Sequence, residues 1–392
     1  MYTPTRPLPY GRQNITEADI AAVVASLRAD FLTQGPTVGA FEEQFAAYVG
    51  ATYAVAVANG TAALHLCALA LNVRPGQRVI TSPLTFAASA NCVRYCGGEV
   101  RFADIDSATG LIDLYKVRAL LEAHPKGYFT GLIPVDFAGL AVNLEAARQL
   151  ADEYGLWIIE DSCHAPGGFF IDSKNQEQRC GNGNFADLAI FSFHPVKHIA
   201  TGEGGMITTN NEQLYRRLLR LRTHGITRDP VDLVREPDGG WYMEMQELGY
   251  NYRLPDLNCA LGLSQLARAA EGLARRRQLA GRYDAAFAAL PGLTVLAPGR
   301  PGHAYHLYVV QVAHRKELYD YLKNKQILTQ VHYIPVHRMP YYEGLGWQAG
   351  DFPLAESYYA HCLSIPLFPT LTDEEQNYVV ACIKEFVNQH DC

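Results

Sequence analysis

Short apolar runs alternate with helical patterns along the first half of the chain. The strand-like runs are residues 53–58, 78–81, 100–103, 131–135 and 156–159. The helical patterns are residues 61–71, 86–95, 114–123 and 144–154. Such an alternation is typical of a parallel sheet covered by helices on both faces. The runs at 188–193 and 206–209 have no clear helix between them, so we expect at least one antiparallel strand in this sheet.

A long helical stretch rich in Ala, Leu and Arg separates this region from a second part with a different pattern. The stretch covers about residues 255–290 and ends at Pro291-Gly292. Strands at 305–312 and 328–333 are then mixed with helices at 316–325 and 373–388. The prediction is a large α/β domain (1–255), a connecting helix (256–290) and a small α+β domain (291–392).

Composition excludes several classes of protein. The 392 residues carry a formal charge of −7, so no basic surface for nucleic acid is expected. No apolar stretch approaches the roughly 20 residues that cross a bilayer, and residues 1–12 lack the apolar core of an export signal. Nine scattered cysteines, without a C-x-x-C pair or a Cys/His cluster at zinc spacing, predict reduced thiols, a cytoplasmic location and no metal site.

Lys197 is the residue with the most telling surroundings. It follows an apolar, strand-like run and precedes a glycine-rich turn at 201–205. Burial lowers the pKa of a lysine, and a neutral amine beside a ligand-admitting loop can form a Schiff base with a carbonyl. Taken alone, the residue is explained more simply as a strand-ending lysine that reaches solvent.

Two further strand ends carry candidate chemistry. Asp161 and His164 follow the apolar strand at 156–159, at the sheet edge where α/β proteins bind ligands. A solvated strand end with a helix-capping acid is the alternative. A nucleophilic Cys163–His164 pair is disfavoured, because sequence neighbours seldom point at each other. Gly60 and Thr61 open a helix directly after a strand, which suits a phosphate, although a plain capped turn has the same pattern.

Three other segments have weaker patterns. Phe86 could lie flat against an aromatic cofactor, or simply belong to the core. The stretch 249–256, which interleaves tyrosines with polar residues, suits a site wall, a subunit contact or an ordinary loop. The G-x-G-x-x-A match at 181–186 follows a polar stretch and precedes a strand, so it does not predict a dinucleotide site.

Taken in order, these segments resemble the sugar aminotransferases of the DegT/DnrJ/EryC1/StrS family. The resemblance runs from Thr33-Gln34-Gly35-Pro36 to Tyr333 and beyond. It implies the aspartate-aminotransferase fold, pyridoxal 5′-phosphate as cofactor, and a homodimer with shared sites. The resemblance implies that Lys197 binds the cofactor, that Asp161 pairs with its pyridine nitrogen, and that His164 contacts its ring hydroxyl. It implies that Phe86 stacks on the ring. The residues it implies for the phosphate are Gly60, Thr61, Ala62 and Ser192, with Asn251 contacting the phosphate in the partner's site.

The stretches 32–35, 135–139, 260–266 and 330–333 resemble the family branch that works in the pseudaminic acid pathway. That branch implies amino transfer from L-glutamate to C4 of a UDP-linked 4-keto-6-deoxy-N-acetyl-hexose. Thr33 and Gln34 are candidate substrate contacts, and His332 and Tyr333 are candidates for the sugar-nucleotide wall or belong to an ordinary strand and turn. Arg253 could bind the carboxylate of the amino donor, or form a structural ion pair with Asp256. Another nucleotide keto-sugar aminated at C3 or C4, a sugar dehydratase and a non-catalytic sensor are the alternatives. Dehydratases of the family carry histidine in place of Lys197, which argues against that branch.

Overall fold

The structure, a computed structural model, describes residue 4 and residues 6–390. Its strands are β1 (Tyr53–Val57), β2 (Arg78–Thr81), β3 (Glu99–Phe102), β4 (Gly131–Ile133), β5 (Trp157–Asp161), β6 (Phe169–Ile171), β7 (Glu177–Arg179), β8 (Leu188–Ser192), β9 (Gly205–Thr209), β10 (Ile226–Thr227), β11 (Glu244–Met245), β12 (Leu293–Val295), β13 (Tyr308–Val312) and β14 (Cys362–Ile365). Its α-helices are α1 (Glu17–Leu27), α2 (Pro36–Val49), α3 (Gly60–Ala70), α4 (Ala88–Tyr95), α5 (Leu114–Glu122), α6 (Leu144–Tyr154), α7 (Glu212–Arg222), α8 (Asp256–Ala267), α9 (Ala269–Phe287), α10 (Arg315–Asn324), α11 (Pro340–Glu343), α12 (Pro353–His361) and α13 (Asp373–Gln389).

The large sheet has the strand order β1-β9-β8-β5-β4-β2-β3 within the described residues. Strands β8, β5, β4, β2 and β3 run parallel, whereas β9 is antiparallel to both of its neighbours, β8 and β1. The expected antiparallel strand is therefore β9. Because β5 and β8 are parallel neighbours, their carboxyl ends meet at one edge of the sheet, which brings the segments after Asp161 and Ser192 together.

Helices cover both faces of this sheet, and the strands show why. Along β1, Val55 and Val57 pack into the core on the side of α3, while Ala54 and Ala56 pack with α2 on the other side. This period of two follows from the pleat of a strand. With both sets buried, the strand is apolar throughout. The predicted α/β fold class with a mostly parallel sheet is confirmed.

The last part of the chain builds a three-stranded antiparallel sheet, β12-β13-β14, with its own core against α9, α10 and α13. The predicted strand at 328–333 is wrong. This segment makes only isolated bridges at its edges, Leu8 with Ile327 and Gln330 with Ser364. Beyond Gln330 the chain leaves the sheet, so no ladder of hydrogen bonds forms.

The long helix predicted at 255–290 is two helices, α8 and α9. They meet at Arg268, whose backbone angles (φ −118°, ψ 14°) are not helical. The Arg268 guanidinium donates hydrogen bonds to Asp19 Oδ2 and to the carbonyl of Asn14, which ties the break to the N-terminal segment. The domain boundaries drawn from the sequence stay a prediction.

Within the described residues, no helix combines the length and the apolar content that a membrane crossing requires. The cysteines in this part of the chain form no disulfide, and most are buried. The cytoplasmic location expected from the sequence stays a prediction.

Candidate active site

Lys197 lies in a loop that the ends of β8 and β9 hold closed. Phe193 N donates to the carbonyl of Gly204 (2.8 Å), and Thr201 N donates to the carbonyl of Phe193 (2.9 Å). The Lys197 side chain is partly buried, and its amine makes no hydrogen bond or ion pair with any described residue. Burial lowers the pKa of this amine, an effect that nearby Cys163 and Asp161 oppose. The amine is therefore easier to deprotonate than an exposed lysine.

Asp161, the last residue of β5, is fixed from two sides. Its Oδ2 accepts a hydrogen bond from Ser89 Oγ (2.6 Å), and its Oδ1 accepts one from the backbone N–H of Cys163 (3.2 Å). Thr85 Oγ1 lies 2.8 Å from Ser89 Oγ and extends the chain of hydroxyls. The carboxylate is buried, so its charge acts on nearby groups with little screening by water.

His164 is held as a neutral ring of one tautomer. The backbone N–H of Ala138 donates to Nδ1 (3.2 Å), so Nδ1 is an acceptor and the ring proton is on Nε2. Nε2 lies 3.0 Å from the hydroxyl of Tyr333, which accepts that proton. Burial, followed by the charge of Lys197, lowers the pKa of His164 well below its usual range. The Tyr333 hydroxyl keeps its own proton, because burial raises its pKa well above the ordinary value.

These contacts also argue against Cys163 as a nucleophile activated by His164. Both ring nitrogens of His164 are engaged by Ala138 and Tyr333. Burial, followed by the charge of Asp161, raises the pKa of the Cys163 thiol well above its usual range, so the thiolate is disfavoured.

The turn between β1 and α3 forms a cradle that fits a phosphate. The backbone N–H groups of Gly60 and Thr61 make no hydrogen bond with described residues, since Asn59 caps only Ala62 and Ala63. A Cβ on Gly60 would lie 3.0 Å from Ser192 Cβ, so only a glycine leaves this approach open. Free N–H groups at a helix N-terminus beside hydroxyls are the donor set that a phosphate requires.

Phe86 and Tyr333 supply an aromatic wall. Phe86 is 60% exposed, a high value for a phenylalanine that follows the buried stretch 81–85. Its ring centre is 6.1 Å from that of Tyr333. An aromatic face left open at the carboxyl edge of a sheet suits stacking against a planar ring. The anchored acid, the unpaired amine, the phosphate cradle and this wall together fit pyridoxal phosphate.

His332, also expected at the substrate, lies deeper than Tyr333. It is buried, its Nδ1 lies 2.8 Å from Ser364 Oγ, and its ring packs 5.1 Å from that of Tyr10. Burial lowers its pKa to about 3, so the ring is neutral. A direct substrate contact by His332 stays a prediction.

The structure does not bring Thr33, Gln34, Asn251 and Arg253 to Lys197. Among the described residues, no hydrogen bond, ion pair or ring contact joins them to Lys197, Asp161 or His164. Gln34 and Arg253 instead line a separate cavity of about 250 Å³. Thr33, Gln34 and Asn251 are exposed.

Behind the site lies a pair of buried carboxyl groups, Asp136 and Glu160. Asp136 Oδ2 accepts from Ser162 Oγ (2.6 Å), and Glu160 Oε2 accepts from Gly181 N (2.9 Å). Their ligand-type atoms and Cys180 Sγ lie within 4.8 Å of one another. Burial raises the pKa of Asp136 to about 6 and, with the charge of Asp136, raises that of Glu160 well above its usual range. The two groups therefore share a proton.

Sequence reasoning missed Ser89 and the backbone of Ala138, which orient Asp161 and His164. Ser89 had a weak signal, as one of several polar residues in a stretch otherwise suited to the core. Ala138 had none, because a backbone N–H has no signature in the sequence. Its left-handed backbone (φ 58°) appears only in the fold.

Several known proteins are similar to this chain along nearly its whole length. The model of the DegT/DnrJ/EryC1/StrS aminotransferase family matches residues 13–384. The spore coat polysaccharide biosynthesis protein SpsC of Bacillus subtilis is 39% identical over 98% of both chains. The UDP-4-amino-4,6-dideoxy-N-acetyl-beta-L-altrosamine transaminase of Campylobacter jejuni is 35% identical over 95% of both chains.

Solved structures agree. Helicobacter pylori PseC, an aminotransferase involved in the biosynthesis of pseudoaminic acid, superposes with a TM-score of 0.88 at 28% identity, over 98% of this chain and 100% of its own. The PLP form of a Streptococcus pneumoniae protein assigned as a sugar aminotransferase gives 0.87 at 28% identity, over 98% and 99%.

Fold and site define a pyridoxal-phosphate-dependent aminotransferase. The chain belongs to the DegT/DnrJ/EryC1/StrS aminotransferase family.

Replacing Gly205 tests the phosphate cradle. A Cβ there would meet the backbone of Asn59 at 2.6 Å and Gly60 N at 2.9 Å, so Gly205→Ala must displace the turn. We expect cofactor affinity, measured by absorbance titration, to fall by about tenfold or more. Gly39→Ala is the matched control, because a Cβ on Gly39 in α2 meets no atom within 4 Å. Equal affinity in both variants would contradict the cradle.

The carboxyl pair predicts a pH dependence of stability. Folding raises both pKa values, so the folded protein holds a proton that the unfolded chain releases. This bound proton stabilises the folded protein fully at a pH below about 4, the pKa of these carboxyl groups in the unfolded chain. The stabilisation is lost as the pH rises through the higher pKa values of the folded protein. A difference of one unit between the folded and the unfolded pKa corresponds to about 1.4 kcal/mol.

Glu160→Gln removes the proton requirement, because its amide can donate to Asp136 at every pH. We expect its melting temperature to fall less than that of the wild type between pH 5 and pH 8. Glu177→Gln, at an exposed strand position, should keep the wild-type slope. Parallel curves for the wild type and Glu160→Gln would refute the shared proton.

Proposed function

We propose that this enzyme transfers an amino group from L-glutamate to C4 of a UDP-linked 4-keto-6-deoxy-N-acetyl-hexose. The observation that carries the proposal is the unpaired, desolvated amine of Lys197 beside the anchored carboxylate of Asp161, at the adjoining ends of β8 and β5. The similarity to the Campylobacter UDP-4-amino-4,6-dideoxy-N-acetyl-beta-L-altrosamine transaminase supports the choice of sugar and of the carbon that is aminated.

The cofactor's residues follow from the site. Gly60, Thr61 and Ser192, with the adjoining Ala62, would hold the phosphate, and Phe86 would stack on the ring. Asp161 would keep the ring nitrogen protonated. When bound, pyridoxal phosphate supplies an electron-withdrawing ring that stabilises negative charge on the carbon bearing the amine.

Lys197 Nζ does the proton transfer in this proposal. Its lowered pKa leaves a fraction of the amine free to accept the proton that the α-carbon of glutamate releases. The same nitrogen returns a proton in the second half of the reaction, at C4 of the sugar. His164 and Tyr333 keep fixed protonation states throughout, since neither titrates near neutral pH.

Tyr333 would also orient the cofactor or the sugar. Its hydroxyl accepts the proton of His164 Nε2, so its own proton is free to donate into the site. A hydrogen-bond donor fixed by a neutral histidine suits a ring hydroxyl or a sugar oxygen.

Asn251, Thr33 and Gln34 would act on the site of a second subunit. They are exposed and lie apart from Lys197 in their own chain. Large apolar side chains are exposed nearby, among them Phe31 (56%) and Leu32 (49%), as expected of a surface that a partner covers. These features support a homodimer in which each subunit contributes residues to the other's site.

A second candidate is amination of a different nucleotide keto-sugar. The Bacillus relative, named for spore coat polysaccharide biosynthesis, has 39% identity to this chain. The two candidates share Lys197 and Asp161 and differ only in the sugar.

The experiment offers the enzyme L-glutamate with a panel of UDP- and TDP-linked 4-keto sugars, and products are identified by mass and NMR. We expect a 4-amino UDP-sugar and equal formation of 2-oxoglutarate. Lys197→Ala should lose about 10²–10⁴-fold in rate, because it lacks the proton carrier. Lys174→Ala, at an exposed position, is the control. A deoxy keto sugar without glutamate consumption would reveal a dehydratase.

Mixing two inactive variants tests the shared site. In the proposed dimer, Lys197→Ala and Asn251→Ala each spoil both sites, but a hybrid keeps one intact site. Random reassortment should therefore restore about a quarter of the wild-type activity, because half of the dimers are hybrids. Activity no higher than the sum of the separate variants would place Asn251 outside the partner's site.

A further inference from the structure

Arg276 is a buried cation without a counter-ion. It is 1% exposed, and no carboxylate among the described residues pairs with it. Its Nη1 donates to the carbonyl oxygens of Tyr305 (3.2 Å), His306 (3.3 Å) and Leu367 (3.0 Å). Its Nε and Nη2 make no hydrogen bond in the described structure, and Nε is fully buried. A buried charge with an unpaired donor is costly unless something fills the place of its partner.

Arg276 lines a cavity of about 200 Å³ together with Lys197 and Arg12. Of its two uncommitted nitrogens, Nη2 is the one that a ligand can reach, because Nε is fully buried. Arg12 is partly buried and makes no ion pair or hydrogen bond through its guanidinium in the described part of the chain. It therefore adds a second uncompensated cation to the same space.

The other charges of this cavity are already balanced or exposed. Arg268 pairs with Asp19 (2.5 Å) and Arg275 with Asp373 (2.8 Å). Glu271, the acid that lines the cavity, is exposed. The excess positive charge rests on Arg12, Arg276 and any protonated fraction of Lys197. Such a space selects a small anion.

We propose that this cavity binds a carboxylate group of a small organic acid, held by Nη2 of Arg276 and by the guanidinium of Arg12. The planar guanidinium of Arg12, which has no other partner among the described residues, matches the two oxygens of a carboxylate, and Nη2 of Arg276 adds one further donor. Because Lys197 lines the same cavity, the amino donor is the first source of this carboxylate, a reading that rests on the proposed function. A separately bound organic acid is the other source.

Succinate is the probe, because it carries two carboxylates and has no amine to transfer. Calorimetric titration of the cofactor-loaded enzyme should show binding to the wild type. Arg12→Gln should weaken that binding by about tenfold, the loss expected for one charge-assisted contact. Arg276→Lys keeps the charge but replaces the Nη2 donor with a shorter ammonium group. It should weaken succinate binding similarly, while its melting temperature shows that it folds. Arg74→Gln, at an exposed position without a partner, is the matched control.

The variant Arg253→Gln tests whether the carboxylate binds in the other cavity instead. The sequence offers Arg253 as a carboxylate contact, and it lies in the other cavity. If succinate binding falls with Arg253→Gln and is unchanged in Arg12→Gln, or if the wild type binds no succinate, the inference is overturned.

Kinetics separate the two sources. If the cavity holds the donor's carboxylate, succinate competes with glutamate. Arg12→Gln then raises the Michaelis constant for glutamate and leaves that for the sugar unchanged. Inhibition that glutamate does not relieve supports a separately bound acid. Succinate binding that depends on Arg12, in a protein that consumes no glutamate, refutes the proposed function and leaves this carboxylate site standing.

Discussion

The site depends on keeping the Lys197 amine out of water beside one fixed anion. Burial alone favours the neutral amine, and the charge of Asp161 opposes it. The balance leaves an amine whose pKa is lower than that of an exposed lysine, so it releases its proton more readily. Strands β5 and β8 create this arrangement, because parallel neighbours end at the same edge and deliver Asp161 and the Lys197 loop together.

The surroundings preserve this balance by remaining neutral. His164, His332 and His306 are buried, and burial lowers the pKa of each. Asp136 and Glu160 share a proton directly behind Asp161, so they add less negative charge than two ionised groups would. The anchored carboxylate therefore acts with little competition. Arg276 is the exception, a buried cation near Lys197 that calls for an anion of its own.

Much of this could be predicted from the sequence where the cause is local. The apolar runs that became β2, β5 and β8 predicted a parallel sheet, and Gly60 at a strand-to-helix turn predicted the cradle. The resemblance to a family then joined Lys197 to Asp161 across the intervening residues. Each of these inferences rests on neighbours in the chain or on a motif.

The features that the sequence did not predict depend on contacts between residues that are far apart in the chain. The segment 328–333 was predicted to be a strand. An extended segment is a strand only where a partner offers a ladder of hydrogen bonds, and Ser364 offers a single bridge. The helical spacing of apolar residues continues across Arg268, so the sequence does not indicate a break there. The contact between Arg268 and Asp19, which accompanies the break, is seen only in the fold. Arg276 stands in a run of three arginines, which in a sequence is typical of a solvated face, yet the fold buries it.

The central claim is that Lys197 is the residue that carries the cofactor. Borohydride reduction of the cofactor-loaded enzyme, followed by peptide mass spectrometry, tests it most directly. The account predicts one phosphopyridoxyl modification, on the peptide that contains Lys197. The same modification on another lysine, with Lys197 unmodified, would contradict it.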